Sequence, residues 1–234
     1  MCRHAAWLGP PRTLASLIGE PEYGLLRQSY APRRQQYGTV NADGFGMGWY
    51  DPLRPEPVRY RRAVPIWSDA NLPALAEVAR STCLIATVRS ATPGMPVEET
   101  GTAPFADGRW LLSHNGRVDR AAVRPLADDA ESACDSAWVA AAVFARLRAG
   151  MTPGDATAEV VLKASARDPA ARLNLLVCDG VSLAATAWGD TLFVREDDGV
   201  LVASEPLDDR PGWRPVPDRS LLLATFTAVH VRPL

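Results

Sequence analysis

Apolar residues gather in short runs at both ends of the chain and at helical spacing in its middle. Short apolar runs that are bounded by turn residues predict strands. In the first half of the chain they predict strands at 2–8, within 41–50, and at 58–66, 83–90 and 109–116. Beyond residue 171 the same pattern predicts six closely spaced strands, at 171–179, 181–188, 191–196, 200–205, 220–226 and 228–234.

The helical patterns lie between these two groups of strands. Thr13 followed by LASLIG predicts a short capped helix, and residues 71–80 predict a second one. The strongest pattern runs from Asp135, at the helix start, to Gly150, and residues 154–167 predict another helix after it. Strands at both ends with helices in the middle favour an α+β fold of two stacked sheets with helices outside. Because no Pro/Ser-rich linker divides residues 1–234, we expect one domain.

Two stretches break these patterns. In NADGFGMGWY (41–50) glycines alternate with Phe45, Met47 and Trp49, which indicates a strand whose backbone is approached closely by another group. From Thr92 to Gly108 the chain is rich in Pro, Gly, Thr and Glu. A long loop of this kind more often covers a site than fills a core.

Composition and charge exclude several classes of protein. The 25 basic residues are scattered and are balanced by 27 acidic ones, so we expect no nucleic-acid partner. The four cysteines show no CxxC spacing, and no motif indicates a metal or a cofactor. No apolar run is long enough to span a bilayer and the N-terminus lacks an apolar leader, so we expect a cytoplasmic protein without membrane contact. The sequence does not predict the oligomeric state.

Cys2 directly follows the initiator methionine. If Met1 is removed, Cys2 carries both a thiol and a free α-amine. The pKa of an α-amine lies near 7.7–8.0, so the amine is partly neutral at pH 7 and can act as the base for the thiol. The alternative is that a cysteine at this position has no function.

Arg89, Asn115, Gly116 and Asp135 supply complementary groups. Arg89 ends an apolar strand, and its guanidinium either binds a substrate carboxylate or forms a buried ion pair within the protein. Asn115-Gly116 either forms a hairpin turn or gives two donors to the oxyanion of a tetrahedral intermediate. Asp135 caps its helix and can still bind an ammonium group. Together with Cys2, these groups form a receptor for the head of glutamine or of a γ-glutamyl compound.

These residues lie in stretches that resemble the class II glutamine amidotransferase family of N-terminal nucleophile hydrolases. The matching stretches follow the family's order: Met1-Cys2, NADGFGMGW (41–49), VRSATPG (88–94), SHNG (113–116), CDSAWV (134–139), WGDTLFV (188–194) and ASEPLDD (203–209). The resemblance implies the four-layer α/β/β/α sandwich of that family.

The resemblance also implies a role for each residue. Cys2 is the nucleophile with its α-amine as base, and Asn115 with Gly116 forms the oxyanion hole. Arg89 and Thr92 hold the α-carboxylate of the substrate, and Asp135 holds its α-amine. Independently of the resemblance, His114 is expected in the substrate site, where it would orient the Asn115 loop; the alternative is that it acts as a base.

Within this family the chain most resembles the branch that removes glutamate from γ-glutamyl-hercynylcysteine sulfoxide in ergothioneine biosynthesis. CRHAAWLG (2–9), QSYAPRRQ (28–35), VRSATPGMP (88–96) and LLSHNGRVDR (111–120) carry this likeness. Relatives with other substrates have Asn-Thr-His-Pro-Phe where this chain has GTAPF (101–105), which indicates a different acceptor pocket. The expected ligand is therefore a small γ-glutamyl compound, and aromatic faces such as Trp49 and Trp110 are candidates for binding its trimethylammonium group.

Four alternatives remain open. The protein could be a glutaminase subunit that supplies ammonia to a separate synthase, or a silent γ-glutamyl-binding module. Cys2 and His4 share a strand face and could form a Cys–His pair, although parallel side chains make a poor hydrogen bond. A metal site built from Cys2, His4 and His114 would lack a fourth ligand.

Overall fold

The computed structural model describes residues 2–234, which form two antiparallel sheets flanked by helices. The helices are α1 (Ala15–Ile18), α2 (Leu25–Gln28), α3 (Leu72–Val78), α4 (Arg120–Val123), α5 (Asp135–Arg148) and α6 (Pro153–Arg167). The strands are β1 (Arg3–Thr13), β2 (Phe45–Trp49), β3 (Val58–Arg62), β4 (Arg80–Val88), β5 (Phe105–Asp107), β6 (Trp110–Arg117), β7 (Arg172–Cys178), β8 (Ser182–Ala187), β9 (Phe193–Glu196), β10 (Val200–Ala203), β11 (Arg214–Pro215), β12 (Ser220–Thr225) and β13 (Val229–Pro233). Three short 3₁₀ helices lie at Ile66–Ser68, Glu99–Gly101 and Arg124–Leu126.

Strand order places β1 in the middle of one sheet. That sheet has the order β11-β9-β10-β1-β4-β2-β3, and the other sheet has the order β13-β12-β8-β7-β6-β5. In β1, Arg3 lies opposite Val88 of β4, and Ala5 lies opposite Ala203 of β10. The residue before β1 is therefore flanked by the segments that follow β4 and β10.

Three apolar layers hold the fold together. Alternate β1 residues Ala6 and Leu8 pack against the other sheet, while Ala5 and Trp7 pack towards α1 and α3. The opposite face of the second sheet packs against α5 and α6. This alternation confirms the α+β prediction and the four-layer α/β/β/α sandwich, because the central strands bury one face between the sheets and the other against helices.

Most predicted elements are present, although α4, β11 and the 3₁₀ helices were not predicted. Four other regions also differ. Thr13 is the last residue of β1 and makes no cap, because Leu14 occupies the N-cap position of α1. Residues 25–28, for which the sequence pattern predicted no helix, form α2. The loop from Thr92 to Gly108 contains a 3₁₀ turn and the edge strand β5. Strand β3 ends at Arg62 because the chain turns into Pro65 and the following 3₁₀ turn.

Crossing a bilayer requires a long apolar helix, and none of the helices within residues 2–234 meets that requirement.

Candidate functional site

One end of the sandwich brings the predicted site residues together. Cys2 precedes β1, Arg89 follows β4, Asn115 and Gly116 lie near the end of β6, and Asp135 begins α5. These residues are separated by up to 133 positions in the chain, yet strand pairing aligns their elements. The expected removal of Met1 concerns a residue outside the described part of the chain.

Cys2 faces the layer between the two sheets. Side chains alternate along a strand, so Cys2 shares its face with His4, Ala6 and Leu8, and the last two of these lie in the inter-sheet core. The Cys2 thiol is partly exposed, and its Sγ lies 3.8 Å from the carbonyl oxygen of Ser90. A reagent can therefore reach the sulfur from the end of the sandwich.

Arg89 is a buried cation that has no acidic partner. Its side chain donates to two backbone carbonyls, Asp43 O at 3.5 Å and Pro96 O at 2.8 Å. Within residues 2–234, no carboxylate oxygen comes within the 4.0 Å of an ion pair. An unpaired buried charge is costly, so this guanidinium has the capacity to bind an anion from outside the chain, as the sequence predicted.

Gly101 packs between the Arg89 side chain and the segment that precedes α5. A Cβ on Gly101 would lie 3.1 Å from Arg89 Nη2 and 3.3 Å from Ser132 Oγ, so only a residue without a side chain fits there without displacing its neighbours. The Cys134 thiol contacts the carbonyl oxygen of Gly101 at 3.7 Å. The guanidinium therefore lies beside the segment that leads into Asp135.

Asp135 is the first helical residue of α5, and Cys134 is the N-cap, so the cap assigned to Asp135 was one position off. The Asp135 carboxylate accepts from the backbone N–H of Val118 at 3.1 Å and of Ser136 at 2.9 Å. Each oxygen keeps a further lone pair, and no cation pairs with this carboxylate among residues 2–234. A buried cation and a buried anion without charged partners in the described chain are what the predicted receptor for an amino-acid head requires. Thr92 is half-buried in the loop after Arg89, and its contact with the substrate stays a prediction.

Asn115 and Gly116 do not form a hairpin turn. Both lie inside β6, where Asn115 pairs with Asn174 and Gly116 with Leu173 of β7. A Cβ on Gly116 would lie 1.9 Å from the carbonyl oxygen of Arg172, so the strand requires glycine there for a close backbone approach. The turn explanation for this dipeptide is therefore wrong.

The amide of Asn115 is buried and only loosely bound by the protein. Its Nδ2 lies 3.4 Å from both Asp190 Oδ2 and Ser204 Oγ, beyond the usual range for a strong N–H···O bond. Its Oδ1 is buried and has no hydrogen-bond partner within the described residues. A buried amide with spare hydrogen-bonding capacity can bind a group that is absent from the free protein.

Beneath Asn115 and Cys2 lies a group of buried polar side chains to which the sequence analysis gave no role: Arg3, Asp190 and Ser204. Arg3 Nη2 and Asp190 Oδ2 form an ion pair at 3.1 Å, and both side chains are fully buried. Ser204 Oγ accepts the backbone N–H of His4 at 3.0 Å. The sequence offered one weak signal for Asp190 and Ser204: each is a polar residue next to an apolar strand, in WGDTLFV (188–194) and ASEPLDD (203–209).

His114 faces the helical layer, opposite to Asn115. Its Nδ1 lies 2.9 Å from Ser136 Oγ and its Nε2 lies 2.9 Å from the carbonyl oxygen of Arg172. Burial lowers the pKa of His114 below its ordinary value. With both ring nitrogens bound to the protein, His114 ties the end of β6 to α5 and β7, which fits a positioning role.

His4 does not pair with Cys2. Its Nδ1 lies 3.1 Å from Ser113 Oγ, across the gap between the sheets, and its Nε2 is buried without a partner among the described residues. Burial, together with the neighbouring charge of Arg3, lowers the pKa of His4 well below its ordinary value. Residues 2–234 also contain no group of three or more His, Cys, Asp or Glu side chains that could hold a metal ion.

These two histidines predict a pH dependence of stability. His4 and His114 have lowered pKa values in the folded protein, so below about pH 6.5 the unfolded chain binds protons that the folded chain does not. The free energy of unfolding is therefore expected to fall from pH 7 to pH 5.5, by up to about 1.4 kcal/mol per pH unit for each histidine. Urea unfolding at several pH values measures this slope. His4→Gln should reduce the slope and the exposed His230→Gln should not, and a flat profile would contradict the prediction.

The two tryptophans proposed to bind a trimethylammonium group lie away from the site. Trp49 pairs with Leu84, four positions along β4 from the Phe45–Val88 pair that borders the site. Trp110 begins β6, five positions before Asn115. At roughly 3.3 Å per residue these separations are over 10 Å, so this interpretation is not supported.

Comparisons with known proteins identify the family to which this chain belongs. The family model described as glutamine amidotransferases class-II matches residues 25–196. The γ-glutamyl-hercynylcysteine sulfoxide hydrolase of Mycolicibacterium smegmatis is 52% identical over 237 residues, and the match covers 100% of both chains.

Two solved structures share the fold. The glutamine aminotransferase class-II domain protein of Silicibacter pomeroyi superposes with a TM-score of 0.71 at 25% identity, covering 99% of each chain. The glutamine phosphoribosylpyrophosphate amidotransferase of B. subtilis superposes with a TM-score of 0.72 over 100% of this chain and 49% of that one. At 17% identity the second likeness shows the fold alone. The family model and the full-length relative together establish that this chain belongs to the class-II glutamine amidotransferases.

Proposed function

We propose that this protein is an amidohydrolase that cleaves the γ-glutamyl amide of γ-glutamyl-hercynylcysteine sulfoxide and releases glutamate. The proposal rests on the buried guanidinium of Arg89 beside the start of α5, because within residues 2–234 neither it nor the Asp135 carboxylate has a charged partner. The full-length relative with 52% identity bears the name of this activity. We infer that residues 1–234 act as one domain, because the two sheets share a continuous apolar core.

Binding begins with the amino-acid head of the substrate. The guanidinium of Arg89 offers a planar pair of donors to the α-carboxylate, and the Thr92 hydroxyl can add another donor. The carboxylate of Asp135 accepts from the α-ammonium group. With both ends of the head fixed, the γ-carbonyl extends towards Cys2, so the reaction becomes effectively intramolecular.

Acylation follows at Cys2. After Met1 is removed, the α-amine takes the thiol proton and sulfur attacks the γ-carbonyl, so that a C–S bond forms and the carbonyl oxygen becomes an oxyanion. The Asn115 amide and the Gly116 backbone N–H stabilise this oxyanion by donating to it, and one such donor is worth about 2.7–4 kcal/mol. The C–N bond then breaks, and hercynylcysteine sulfoxide leaves with a proton from the ammonium group.

Deacylation uses the same groups in reverse. Water loses a proton to the α-amine and attacks the thioester, and the Asn115 and Gly116 donors again hold the oxyanion. The C–S bond breaks, glutamate is released and the thiol recovers its proton. His114 holds β6 against α5 through its contact with Ser136. This contact keeps the Asn115 and Gly116 donors in position relative to Cys2.

Comparing two substrates tests this function. We expect the protein to release glutamate from γ-glutamyl-hercynylcysteine sulfoxide with a kcat/KM at least about tenfold above that for glutamine, since a pocket that binds the leaving group adds binding energy that ammonia cannot supply. A coupled glutamate assay on both substrates measures the ratio. A preference for glutamine would indicate a glutaminase subunit, and no hydrolysis of either compound would indicate a silent binding module.

A further inference from the structure

A loop of residues 29–41, which we call the crossing loop, spans the end of the sandwich that holds the site. Its two ends are joined, because the Asn41 backbone N–H donates to Ser29 O at 2.6 Å. The Asn41 side chain donates to Gln28 O at 3.1 Å and to Gln35 Oε1 at 3.0 Å. The two ends of the crossing loop are therefore hydrogen-bonded to each other, and the buried side-chain amide of Asn41 stabilises its conformation.

Glu205 attaches the crossing loop to the first sheet. This residue follows β10 by two positions and is only 1% exposed. Its two carboxylate oxygens accept the successive backbone N–H groups of Arg33 at 2.9 Å and Arg34 at 2.7 Å. No arginine, lysine or histidine pairs with Glu205 within residues 2–234. A buried carboxylate used only on two backbone amides is specialised for fixing the path of this loop, since hydrogen bonds to a charged group are about twice as strong as neutral ones.

The other side of the crossing loop reaches the second sheet. The guanidinium of Arg172 lies 4.4 Å from the centre of the Tyr37 ring. Arg172 begins β7, and its carbonyl oxygen accepts from His114 and lies against Gly116. The crossing loop therefore extends from β10 to the strand that supports the oxyanion donors.

Strand order indicates which part of a substrate this loop contacts. Cys2 lies between the segment after β4, which carries Arg89, and the segment after β10, which carries Glu205. The amino-acid head occupies the β4 side, so the leaving group must extend towards β10. A cavity of about 320 Å³ lies between Gln36 of the crossing loop and residues 189–193, and Pro215, Val216 and Asp218 complete its lining. It borders the site through Asp190. Asp190 contacts Asn115, and the Thr191 hydroxyl donates to Ser204 O at 2.8 Å, next to Glu205.

We propose that the crossing loop forms the outer wall of the subsite for the leaving group, and that Glu205 positions this wall. Glu205 is a positioning residue: it acts through Arg33 and Arg34 and touches no reacting atom. It therefore sets the preference for a γ-glutamyl conjugate with a large polar leaving group. This inference rests on the proposed hydrolysis of such a conjugate.

Glu205→Gln tests the proposal, because glutamine keeps the size of the side chain but loses its charge. We expect kcat/KM for γ-glutamyl-hercynylcysteine sulfoxide to fall about tenfold, the size expected for weakening one charged hydrogen-bonding group. The second measurement is the rate of covalent inactivation by 6-diazo-5-oxo-L-norleucine, a glutamine-shaped reagent that loses N₂ and has no leaving amine. That rate should stay within twofold of the wild type, because the reagent uses only the amino-acid head and the nucleophile.

Two further variants keep the test decisive. Asp209→Asn removes the exposed ion pair with the Arg33 side chain at 2.8 Å but leaves the Glu205 contacts, and it should change neither rate. Tyr37→Ala, at a side chain that is 53% exposed and so unimportant for folding, should lower only the conjugate rate if Glu205→Gln does not fold. An unchanged conjugate rate, or an equal fall in both rates, in Glu205→Gln or in its substitute Tyr37→Ala would overturn the proposal. Wild-type protein that is inactivated by the reagent but does not hydrolyse the conjugate would instead contradict the proposed function.

Discussion

Replacing Cys2 with alanine is expected to reduce glutamate release by roughly 10⁴-fold or more, because loss of a covalent nucleophile removes the acylation step itself. Substrate binding should persist, since Arg89, Thr92 and Asp135 remain in place. Calorimetric titration of the variant with γ-glutamyl-hercynylcysteine sulfoxide measures binding without turnover. Turnover at the wild-type rate in this variant would remove Cys2 from the mechanism.

The matched control is Cys83→Ala. Cys83 is a buried thiol on β4 that lies opposite Leu8, far along the strand from Cys2, and it should be dispensable for activity. Intact mass spectrometry of the active wild-type protein tests the accompanying requirement that Met1 is removed. Fully active protein that retains Met1 would contradict the role of the α-amine as base.

Replacing Arg89 with lysine is expected to raise KM about 10- to 100-fold, with a smaller effect on kcat, because the fork-shaped pair of donors becomes a single point charge. The site still contains a cation in this variant, so a purely electrostatic role would predict little change. Initial-rate kinetics over a range of substrate concentrations separates the two parameters.

Arg109→Lys is the control for this substitution. Arg109 is 58% exposed on its side chain and pairs with Asp179 at the opposite end of β6 and β7, so the substitution should leave both parameters unchanged. An unchanged KM in Arg89→Lys would indicate that Arg89 does not contact the substrate. In that case the buried guanidinium would serve only to hold Asp43 and Pro96 together.

The sequence predicted the strands and the long helices well because their signals are local. The apolar runs in β1 and β4 and the helical spacing after Asp135 each lie within elements of 9 to 14 residues. Elements whose boundaries depend on distant partners were predicted less well. The continuation of β6 through Asn115-Gly116 depends on pairing with β7, more than fifty residues away, and a local turn preference gave the wrong interpretation.

The same distinction applies to the candidate site. Cys2, Arg89, Asn115 and Asp135 were identified because each is a chemically distinctive residue at the end of an apolar element. Asp190, Ser204 and Glu205 were not assigned roles, since a single acid or serine after a strand is common and carries no specific signal. Their importance becomes visible only through burial and through bonds to Arg3, His4 and the crossing loop.

The sequence by itself determined the set of reactive groups and the layered α+β architecture, because residue type and the spacing of apolar residues are local properties of a sequence. The tertiary structure decided which charges lack partners, which face of β6 carries Asn115, and where the crossing loop runs. These properties depend on burial and strand register, and both arise only when segments that are distant in the sequence are brought into contact. The unpaired charge of Arg89 is the clearest case, since its sequence allowed an internal ion pair and the folded chain provides none among residues 2–234.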